Sequence, residues 1–478
     1  MAILEDRGIF WRNDEPVPAT QFAPDASVGG KLTIADDGSV QLELDDVMPS
    51  ERHPFENLLD GGKPAGRNIQ GLLTDSGHVL LLNAFRNGAA VRTHNVSKER
   101  YFVQQCLVSD QRFRRDGNAP IRFRTVEVDL SGFKDWLWLR SIQVKRQRNK
   151  LVADYKAEKD RRFTLPFGTL SIEYDLTGPQ FGRSRHNEIR LVESAAIVIT
   201  TRKAMSLSDA QDYHKNVEEL LILLTSSNHN FDWPTLIPWG SKHRAKLYFS
   251  RYRSDAEPPA AHDCLINFSR IAASFGDIFK AFIEERERYG PGIYLYLGTR
   301  RGLEMFVEHR FVNLIWGLEA LDRHGRGAVQ PPAALEAKIS RILSAVAPKD
   351  RRWLQGKLKN AAEPNLSERL YSIFSFLPLP FDQDALQRFC VECQARRNDI
   401  SHFGGLRSKD QRYGDFMQDL DRKSNALSAL YHLHLLTIIG VDKEQIDLEK
   451  NNNRPLWRMK SDLRAVGLLL PEPGTILG

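Results

Sequence analysis

The chain has 478 residues, more than one hydrophobic core usually supports, so two or three domains are expected. Its formal net charge of +6 favours a polyanionic partner, but so small an excess does not by itself identify a nucleic-acid binder. Residues 1–20 mix charges without an apolar core, and the longest apolar runs are too short to span a bilayer, so neither a secretory signal nor a membrane anchor is predicted. The four cysteines suit a reducing cytoplasm better than a disulfide framework, so we expect a cytoplasmic protein.

Short strand patterns separated by turn residues run from Gly8 to about Thr201. Residues 31–34 and 40–44 flank the sequence Asp-Asp-Gly-Ser and predict a β-hairpin. Further strand-like runs lie at residues 79–82, 101–103, 125–128, 169–174 and 196–200. We therefore expect a mainly antiparallel, β-rich domain over residues 1–203 that serves in recognition. No metal-ligand spacing, phosphate loop or glycine-framed nucleophile is visible in it.

A basic segment, residues 140–162, lies within this domain and includes Lys145, Arg146, Arg148 and Lys150. Two interpretations stay open. The segment is a surface that follows RNA phosphates, with nearby aromatic residues for stacking, or it is a solvated hairpin, which is the commoner origin of a charge run.

Residues 204–300 are predicted as a mixed, mainly helical connecting region, because the period becomes helical after Met205. Within it, residues 231–240 form an aromatic loop punctuated by prolines, for which an apolar plug is favoured over a ligand clamp. Residues 263–289 predict a long helix.

Residues 301–450 predict a helical bundle and residues 451–478 a tail, so the fold class is α+β. The predicted bundle helices are residues 303–323, 333–347, 350–362, 366–376 and 415–440, together with the helix that follows an N-cap at Asp382 and stops at Gly404-Gly405.

The most informative stretch is residues 396–405, at the end of one of these helices. Asp382 is a plausible N-cap, and Gly404-Gly405 stops the pattern. Arg397 falls within the apolar stripe of that helix, where an unpaired charge is costly to bury, so a partner is expected. On the helix alone, the ordinary explanation is an arginine that reaches water or a structural carboxylate.

Two other patterns are weaker. Cys390 and Cys393 lie in mid-helix and predict two buried residues, and His432 and His434 are two apart, on different helix faces. We therefore expect no metal and no cofactor.

The residue types in the stretch suit RNA cleavage. Attack by the neighbouring 2′-hydroxyl requires a base near neutral pH and fixed positive charge on the phosphate, and needs no metal. A histidine and an arginine suffice, and DNA lacks the attacking hydroxyl.

The sequence Arg397-Asn398-Asp399-Ile400-Ser401-His402 resembles the R-x4-6-H signature of HEPN ribonucleases. Together with the opening Gly8-Ile9-Phe10-Trp11, the β-rich N-terminal part and the C-terminal bundle, it resembles the ApeA-like HEPN proteins of bacterial phage defence. The resemblance implies a metal-independent endoribonuclease that acts as a homodimer, with the two motif helices at a two-fold axis.

Carried onto this sequence, the resemblance implies that His402 is the general base or acid, that Arg397 clamps the phosphate and that Asn398 orients them. Apart from the resemblance, two interpretations of Glu319 stay open. It forms an ordinary surface ion pair with Arg323, four residues later, or it approaches the motif helix from a neighbouring helix and orients the arginine or the histidine. Arg396 joins the predicted RNA-binding residues.

Arg397 and His402 are five residues apart, about 140° around an ideal helix. Both can reach one phosphate only if the helix loosens before Gly404-Gly405 or if a second subunit supplies one of them. We expect a combination of the two.

The expected function is that of an abortive-infection toxin. It would cleave structured host RNA, such as tRNA, to a 2′,3′-cyclic phosphate in response to a phage-derived trigger. The alternatives are a non-catalytic HEPN adaptor that binds RNA or protein, and a helical dimerisation scaffold with no role on RNA.

Overall fold

The structure, a computed structural model, divides the chain into two compact units, which we describe separately. The N-terminal unit comprises Met1–Lys134, Leu139–Glu218 and His229–Pro258, and the C-terminal unit comprises Asp135–Trp138, Glu219–Asn228 and Pro259–Gly478. The structure describes residues 2–49, 66–90, 98–113, 119–138, 141–178, 189–301, 304–326, 333–358, 361, 363–405, 412–448, 451 and 453–470.

The described part of the N-terminal unit is built mainly from antiparallel strands. They are β1 (Ala2–Arg12), β2 (Val28–Ala35), β3 (Val40–Leu44), β4 (Arg67–Leu73), β5 (His78–Ala90), β6 (Lys98–Ser109), β7 (Phe123–Asp129), β8 (Ile142–Gln147), β9 (Lys150–Tyr155), β10 (Arg161–Leu165), β11 (Gly168–Thr177), β12 (Val192–Met205), β13 (Thr235–Pro238) and β14 (Ala245–Phe249). Twelve of them form one sheet in the order β10-β11-β12-β7-β13-β14-β6-β3-β2-β1-β4-β5, and β8 and β9 form a separate ribbon.

Half of the large sheet closes on itself, because β5 pairs back onto β6. The ring β6-β3-β2-β1-β4-β5 is therefore a six-stranded antiparallel barrel. The predicted hairpin is confirmed as β2 and β3, with Ile34 opposite Val40. Alternate side chains of these strands point inward, so Leu32, Leu42 and Leu81 are buried in the barrel core. Each such burial contributes about 1.5–3 kcal/mol relative to exposure.

The rest of the sheet extends from β6 through β14, β13, β7, β12 and β11 to β10. The sheet extends beyond the predicted boundary at residue 203, since β13 and β14 belong to it and come after a helix.

The aromatic residues of the loop 231–240 differ in their burial. Phe231 stacks on Phe133 with ring centroids 4.6 Å apart, and Trp233 belongs to the barrel core, but the Trp239 side chain is 47% exposed. An apolar plug accounts for the first two aromatic residues only.

The helices of the described residues complete the chain. They are α1 (Lys134–Leu137), α2 (Leu207–Thr225), α3 (Phe268–Ile271), α4 (Phe275–Tyr289), α5 (Pro291–Arg300), α6 (Val307–Arg326), α7 (Ala333–Ala345), α8 (Pro348–Leu358), α9 (Leu366–Phe374), α10 (Gln383–Phe403), α11 (Tyr413–Ile438) and α12 (Arg454–Ala465). In the described part of the chain, no helix is both long enough and apolar enough to cross a membrane.

Two predictions for this region are corrected. The long helix predicted over residues 263–289 is two helices, α3 and α4, separated by a turn at residues 272–274. The segment predicted as a tail contains α12, which Asn453 caps by accepting a hydrogen bond from the Leu456 N–H. The predicted helix ends at residues 303 and 362, and residues 471–478, lie outside the described residues.

In the C-terminal unit, α5, α9, α10 and α11 all pack against α6. Close packing between α6 and α11 depends on Gly317, where a Cβ atom would lie 2.7 Å from the Tyr431 hydroxyl. On α10, Cys390 and Cys393 are buried, and burial raises the pKa of the Cys390 thiol to about 12. The interpretation of this cysteine pair as two buried residues is therefore confirmed.

A buried histidine lies at the centre of the same unit. His432 accepts a hydrogen bond from the Tyr296 hydroxyl at 2.7 Å through Nδ1 and donates one from Nε2 to the Leu223 carbonyl at 2.7 Å. Burial, together with the nearby Arg300 charge, lowers the pKa of His432 to about 3. The histidine is therefore neutral in the folded protein and takes up a proton only on unfolding at mildly acidic pH.

This difference predicts acid sensitivity. Below the ordinary pKa of about 6.5, the unfolded chain binds a proton that the folded one excludes, so stability present above that pH is lost as the pH falls toward 3. The slope from His432 reaches about 1.36 kcal/mol per pH unit. Urea unfolding at about pH 7 and about pH 5 should show that His432→Asn, although less stable than wild type at neutral pH, loses less stability on acidification. His324→Asn, at an exposed position of α6, should retain the wild-type loss, and equal losses in all three proteins would contradict the assignment.

Candidate active site

The predicted motif lies on the last turns of a regular helix. Asp382 caps α10 by accepting hydrogen bonds from the amides of Asp384 and Ala385, at 2.9 and 3.2 Å. At the other end, the Gly404 N–H donates to the Ile400 carbonyl at 3.1 Å, the spacing of an α-helix, and Gly404 then turns left-handed with φ 69°. The helix therefore does not loosen before Gly404, contrary to expectation, because the glycine itself accommodates the reversal.

Arg397 has the partner that its position requires. Its side chain is 27% exposed, and Nη2 lies 3.5 Å from Glu319 Oε2 on α6. Nη1 donates to Asn398 Oδ1 at 3.2 Å. Nε is buried without a hydrogen-bond partner among the described residues. A guanidinium carries five N–H donors, so the group is held in place but keeps donors for an anion.

Glu319 lies between two arginines. Its Oε1 is 4.0 Å from Arg323 Nη2, but that arginine is 60% exposed, whereas the Glu319 side chain is only 15% exposed. Exposed pairs of this kind contribute about 0.3–0.5 kcal/mol at most. The contact with Arg397 is the less exposed and the stronger of the two, so the main role of Glu319 is to hold Arg397 of α10.

These side chains meet in an open cleft of about 280 Å³. It is lined by Glu319, Arg323, Glu363, Pro364, Asn365, Leu366, Arg369, Gln394, Arg397 and Asn398. Arg369 is buried and held by Asp322 at 3.1 Å, Glu363 at 2.8 Å and the Pro364 carbonyl at 2.9 Å. Its hydrogen bonds are taken by the fold, and Arg323 is largely exposed to water, so Arg397 is the sheltered lining arginine that keeps donors for a ligand.

Of the five predicted site residues on α6 and α10, the structure brings three to this cleft, Arg397, Asn398 and Glu319, and leaves two elsewhere. His402 is exposed and is not part of the lining. On a regular helix it lies about 140° around the axis from Arg397. One chain therefore presents the arginine and the histidine to different sides of α10.

Arg396 also faces away from the cleft. Its Nε donates to Asp419 Oδ2 at 2.7 Å, Nη1 lies 3.5 Å from Asp399 Oδ2, and the guanidinium stacks over the Phe416 ring at 5.4 Å. These contacts tie α10 to α11. Because successive residues of a helix are rotated by about 100°, Arg396 points toward α11 whereas Arg397 points into the cleft.

A second groove lies beside the motif and was not predicted. It measures about 430 Å³ and is lined by Met305, His309, Val312, Asn313, Trp316, Ile400 and Ser401. The Trp316 side chain is 49% exposed. The exposure of Trp316 could have been predicted from its position on α6. Its neighbours Ile315 and Gly317 are buried, and Trp316 lies outside the stripe of residues that faces the core.

The basic segment of the N-terminal unit is a β-ribbon. β8 and β9 pair with Val144 opposite Ala153, and Lys145, Arg146, Arg148 and Lys150 are exposed. The hairpin is confirmed, and RNA binding by these four residues stays a prediction. Residue 140 lies outside the described residues.

Comparisons with known proteins extend this description. The family model described as ApeA N-terminal domain 1 matches residues 5–282, more than half of the chain. The model described as Apea-like HEPN matches residues 312–445, which contain most of α6 and the motif on α10. A comparison with curated proteins and another with solved structures each found no match. With a β-rich ApeA N-terminal domain followed by a helical HEPN domain, the chain belongs to the ApeA-like HEPN proteins.

Proposed function

We propose that the protein is a metal-independent endoribonuclease that acts in the cytoplasm in bacterial anti-phage defence. The HEPN match supports the nuclease class, because HEPN domains are generally associated with ribonuclease activity. The observation that carries the proposal is the Arg397 guanidinium, which Glu319 and Asn398 hold at the cleft with donors remaining. A planar, permanently charged group in this setting suits an RNA phosphate.

The proposed reaction uses the RNA's own nucleophile. His402 takes the proton of the 2′-hydroxyl, whose oxygen bonds to the adjacent phosphorus, while the bond from phosphorus to the 5′-oxygen breaks and that oxygen gains a proton. Arg397 stabilises the additional negative charge on the five-coordinate phosphate. The products are a 2′,3′-cyclic phosphate and a 5′-hydroxyl. DNA has no 2′-hydroxyl and is not a substrate.

The active site is proposed to form between two copies of the chain. α10 keeps its helical hydrogen bonds to Gly404, so a single helix directs Arg397 and His402 about 140° apart. A two-fold axis beside the motif would let each copy supply the residue that the other lacks. The groove containing Trp316 and Ile400 adjoins the motif and exposes apolar surface, which supports a second copy as its occupant.

The proposed substrate is structured host RNA such as tRNA, and a phage-derived trigger is proposed to activate cleavage. The exposed basic residues of the β8–β9 ribbon are proposed to bind RNA phosphates. Arg148 lies in its turn, and Lys145 and Lys150 share one face, since Lys145 is opposite Val152 and Lys150 is opposite Gln147. These charges would add a salt-dependent contribution to binding.

A non-catalytic adaptor is the second candidate function. The regular end of α10 and the exposure of His402 favour it, since neither feature by itself shows a preassembled catalytic pair. An adaptor would use the same bundle to bind RNA or protein without cleaving it.

Replacing the histidine separates these functions. Purified wild-type protein, added to total tRNA in EDTA, should produce fragments ending in 2′,3′-cyclic phosphate, and His402→Ala should reduce the rate by about a hundredfold or more because the base is lost. The matched control is His324→Ala, the same substitution at an exposed position of α6 that lines neither the cleft nor the groove. Dimer content and thermal stability should be unchanged in both variants.

The adaptor makes the opposite prediction in cells. His402→Ala and Arg397→Ala would then still protect bacteria in a plaque assay, whereas charge reversal at Lys145, Arg146, Arg148 and Lys150 would abolish protection. Strict dependence of cleavage on Mg²⁺ would contradict the proposed chemistry directly.

Mixing two inactive variants tests the shared active site. If Arg397 of one copy works with His402 of the other, a dimer of Arg397→Ala with His402→Ala retains one intact pair. Subunit exchange should then restore about a quarter of wild-type activity, because half of the dimers are mixed and each keeps one of its two pairs. If both residues act within one copy, each mixed dimer has two broken pairs and the mixture stays inactive. Mixing His402→Ala with itself is the control.

Glu319 is predicted to position Arg397. Glu319→Gln keeps the shape of the side chain but removes the charge that holds the guanidinium, so cleavage should fall by about tenfold to a hundredfold through misplacement of the clamp. Arg323→Gln, which alters the exposed partner of the same carboxylate, is the matched control and should change the rate less than threefold or so. Equal effects of the two substitutions on single-turnover cleavage would show that Glu319 acts only as part of a surface ion pair.

A further inference from the structure

A second concave site lies on the N-terminal unit and has no part in the proposed cleavage. Its volume is about 540 Å³. It is lined by Arg124, Gly168, Thr169, Thr200, Thr201, Arg202, Trp239 and Gly240. The lining contains two arginines, three threonines and a tryptophan, and no carboxylate.

The base of this site is formed by the sheet. Thr200 of β12 lies opposite Thr169 of β11 and Thr125 of β7, and the hydroxyls of Thr200 and Thr125 are 3.2 Å apart. The pairing of β12 with β7 is interrupted between Thr200 and Met205, and Arg202 lies within this interruption. The irregular backbone thus places a basic residue beside a row of hydroxyl groups.

Trp239 is displayed from a fixed turn. The Ser241 N–H donates to the Pro238 carbonyl at 3.1 Å, Gly240 at φ 74° supplies the left-handed position, and the Trp239 N–H donates to the Arg122 carbonyl at 2.8 Å. The backbone is therefore held at both sides, yet 47% of the side chain is exposed. An indole that extends from a fixed backbone and is about half exposed offers a flat face to a ligand.

The charge of the site selects for anions. Among the described residues, neither Arg124 nor Arg202 forms an ion pair, and the contact found for the Arg202 guanidinium is the Pro166 carbonyl at 3.4 Å. Elsewhere on the same sheet, by contrast, Arg244 is neutralised by Glu127 at 3.2 Å. Two exposed guanidinium groups without carboxylates, beside an exposed indole, combine charge attraction with a stacking surface.

We infer that this site binds a nucleotide, with the base stacked on Trp239 and the phosphate held by Arg124 and Arg202. The volume falls within the range of about 300–1,000 Å³ typical of small-ligand pockets. A bare phosphate would leave the indole unused, and an acidic peptide offers carboxylates but no flat aromatic ring. The same chemistry is available from a free nucleotide and from one nucleotide of single-stranded RNA.

Binding can be measured without any nuclease activity. Full-length His402→Ala protein, which keeps RNA intact under the proposed mechanism, is titrated calorimetrically in EDTA with ATP, with GTP and with a single-stranded RNA oligonucleotide. Inorganic phosphate and oligoglutamate serve as comparison anions. Trp239→Ala and the double change Arg124→Gln/Arg202→Gln should each weaken nucleotide binding by about tenfold or more. Trp239→Phe, which keeps an aromatic face and the turn, should retain most of the affinity, and Arg122→Gln, an exposed arginine outside the lining, should retain all of it.

Each outcome decides the inference. ATP or GTP binding that depends on these residues supports a site for free nucleotides, and dependence seen with the RNA alone supports a site for one unit of an RNA chain. The inference is overturned if no probe binds, or if the further variants bind as tightly as the His402→Ala protein from which they are made. It is also overturned if phosphate or oligoglutamate binds as tightly as the nucleotides. Because cleavage is not measured, failure of the proposed nuclease function would leave this result unaffected.

Discussion

The contact between Arg397 and Glu319 is the constraint on which the candidate active site depends. A guanidinium with 27% of its side chain exposed has lost most of its water, and a partner of opposite charge offsets that loss. Yet the contact is 3.5 Å long, whereas strong charge-assisted hydrogen bonds lie near 2.7–2.9 Å. Arg369, in the same cleft, is buried and held by closer contacts with Asp322, Glu363 and the Pro364 carbonyl. The hydrogen-bond donors of Arg369 are thus occupied by the protein, whereas Arg397 is held in position but keeps donors for a ligand. A phosphate that entered the cleft would compete with Glu319 for the Arg397 guanidinium. The carboxylate would therefore orient the arginine and would also weaken the binding of the phosphate.

Local chemistry was sufficient to predict the motif helix and the hairpin of β2 and β3. The N-cap at Asp382, the helical spacing of the buried residues and the stop at Gly404 all act within a few residues, and the structure has the same bounds. Pairings between distant strands were not accessible in this way. Alternation of apolar residues shows that β5 has a buried face, but not that it pairs with β6 to close a barrel. Likewise, nothing in residues 235–249 shows that β13 and β14 rejoin the sheet after the helix α2.

The candidate site shows the same division between local and distant information. Arg397 could be singled out because a charge within an apolar stripe requires a partner, and Glu319 was one of the carboxylates available to it. Sequence alone could not predict that Arg396 contacts Asp419 rather than RNA, since that contact depends on how α10 packs against α11, whereas Arg397, one residue further around the helix, meets Glu319. Trp316 and Trp239 were missed as surface features because an aromatic residue is usually buried, and exposure depends on neighbours far away in the chain.

The proposed activity would be controlled by the association of two chains, because the regular helix α10 carries Arg397 and His402 on different sides. If each copy holds only one half of a catalytic pair, cleavage depends on the association of two chains and therefore on protein concentration and on anything that favours the dimer. Under the proposed arrangement the groove beside Ile400 would have two roles, since a surface that joins the copies would also complete the site. Such a design suits an enzyme whose substrate is the host's own RNA, because a folded single chain carries the clamp in place without being able to cut. Control would then act on assembly, while the Glu319–Arg397 pair keeps the clamp ready in every copy.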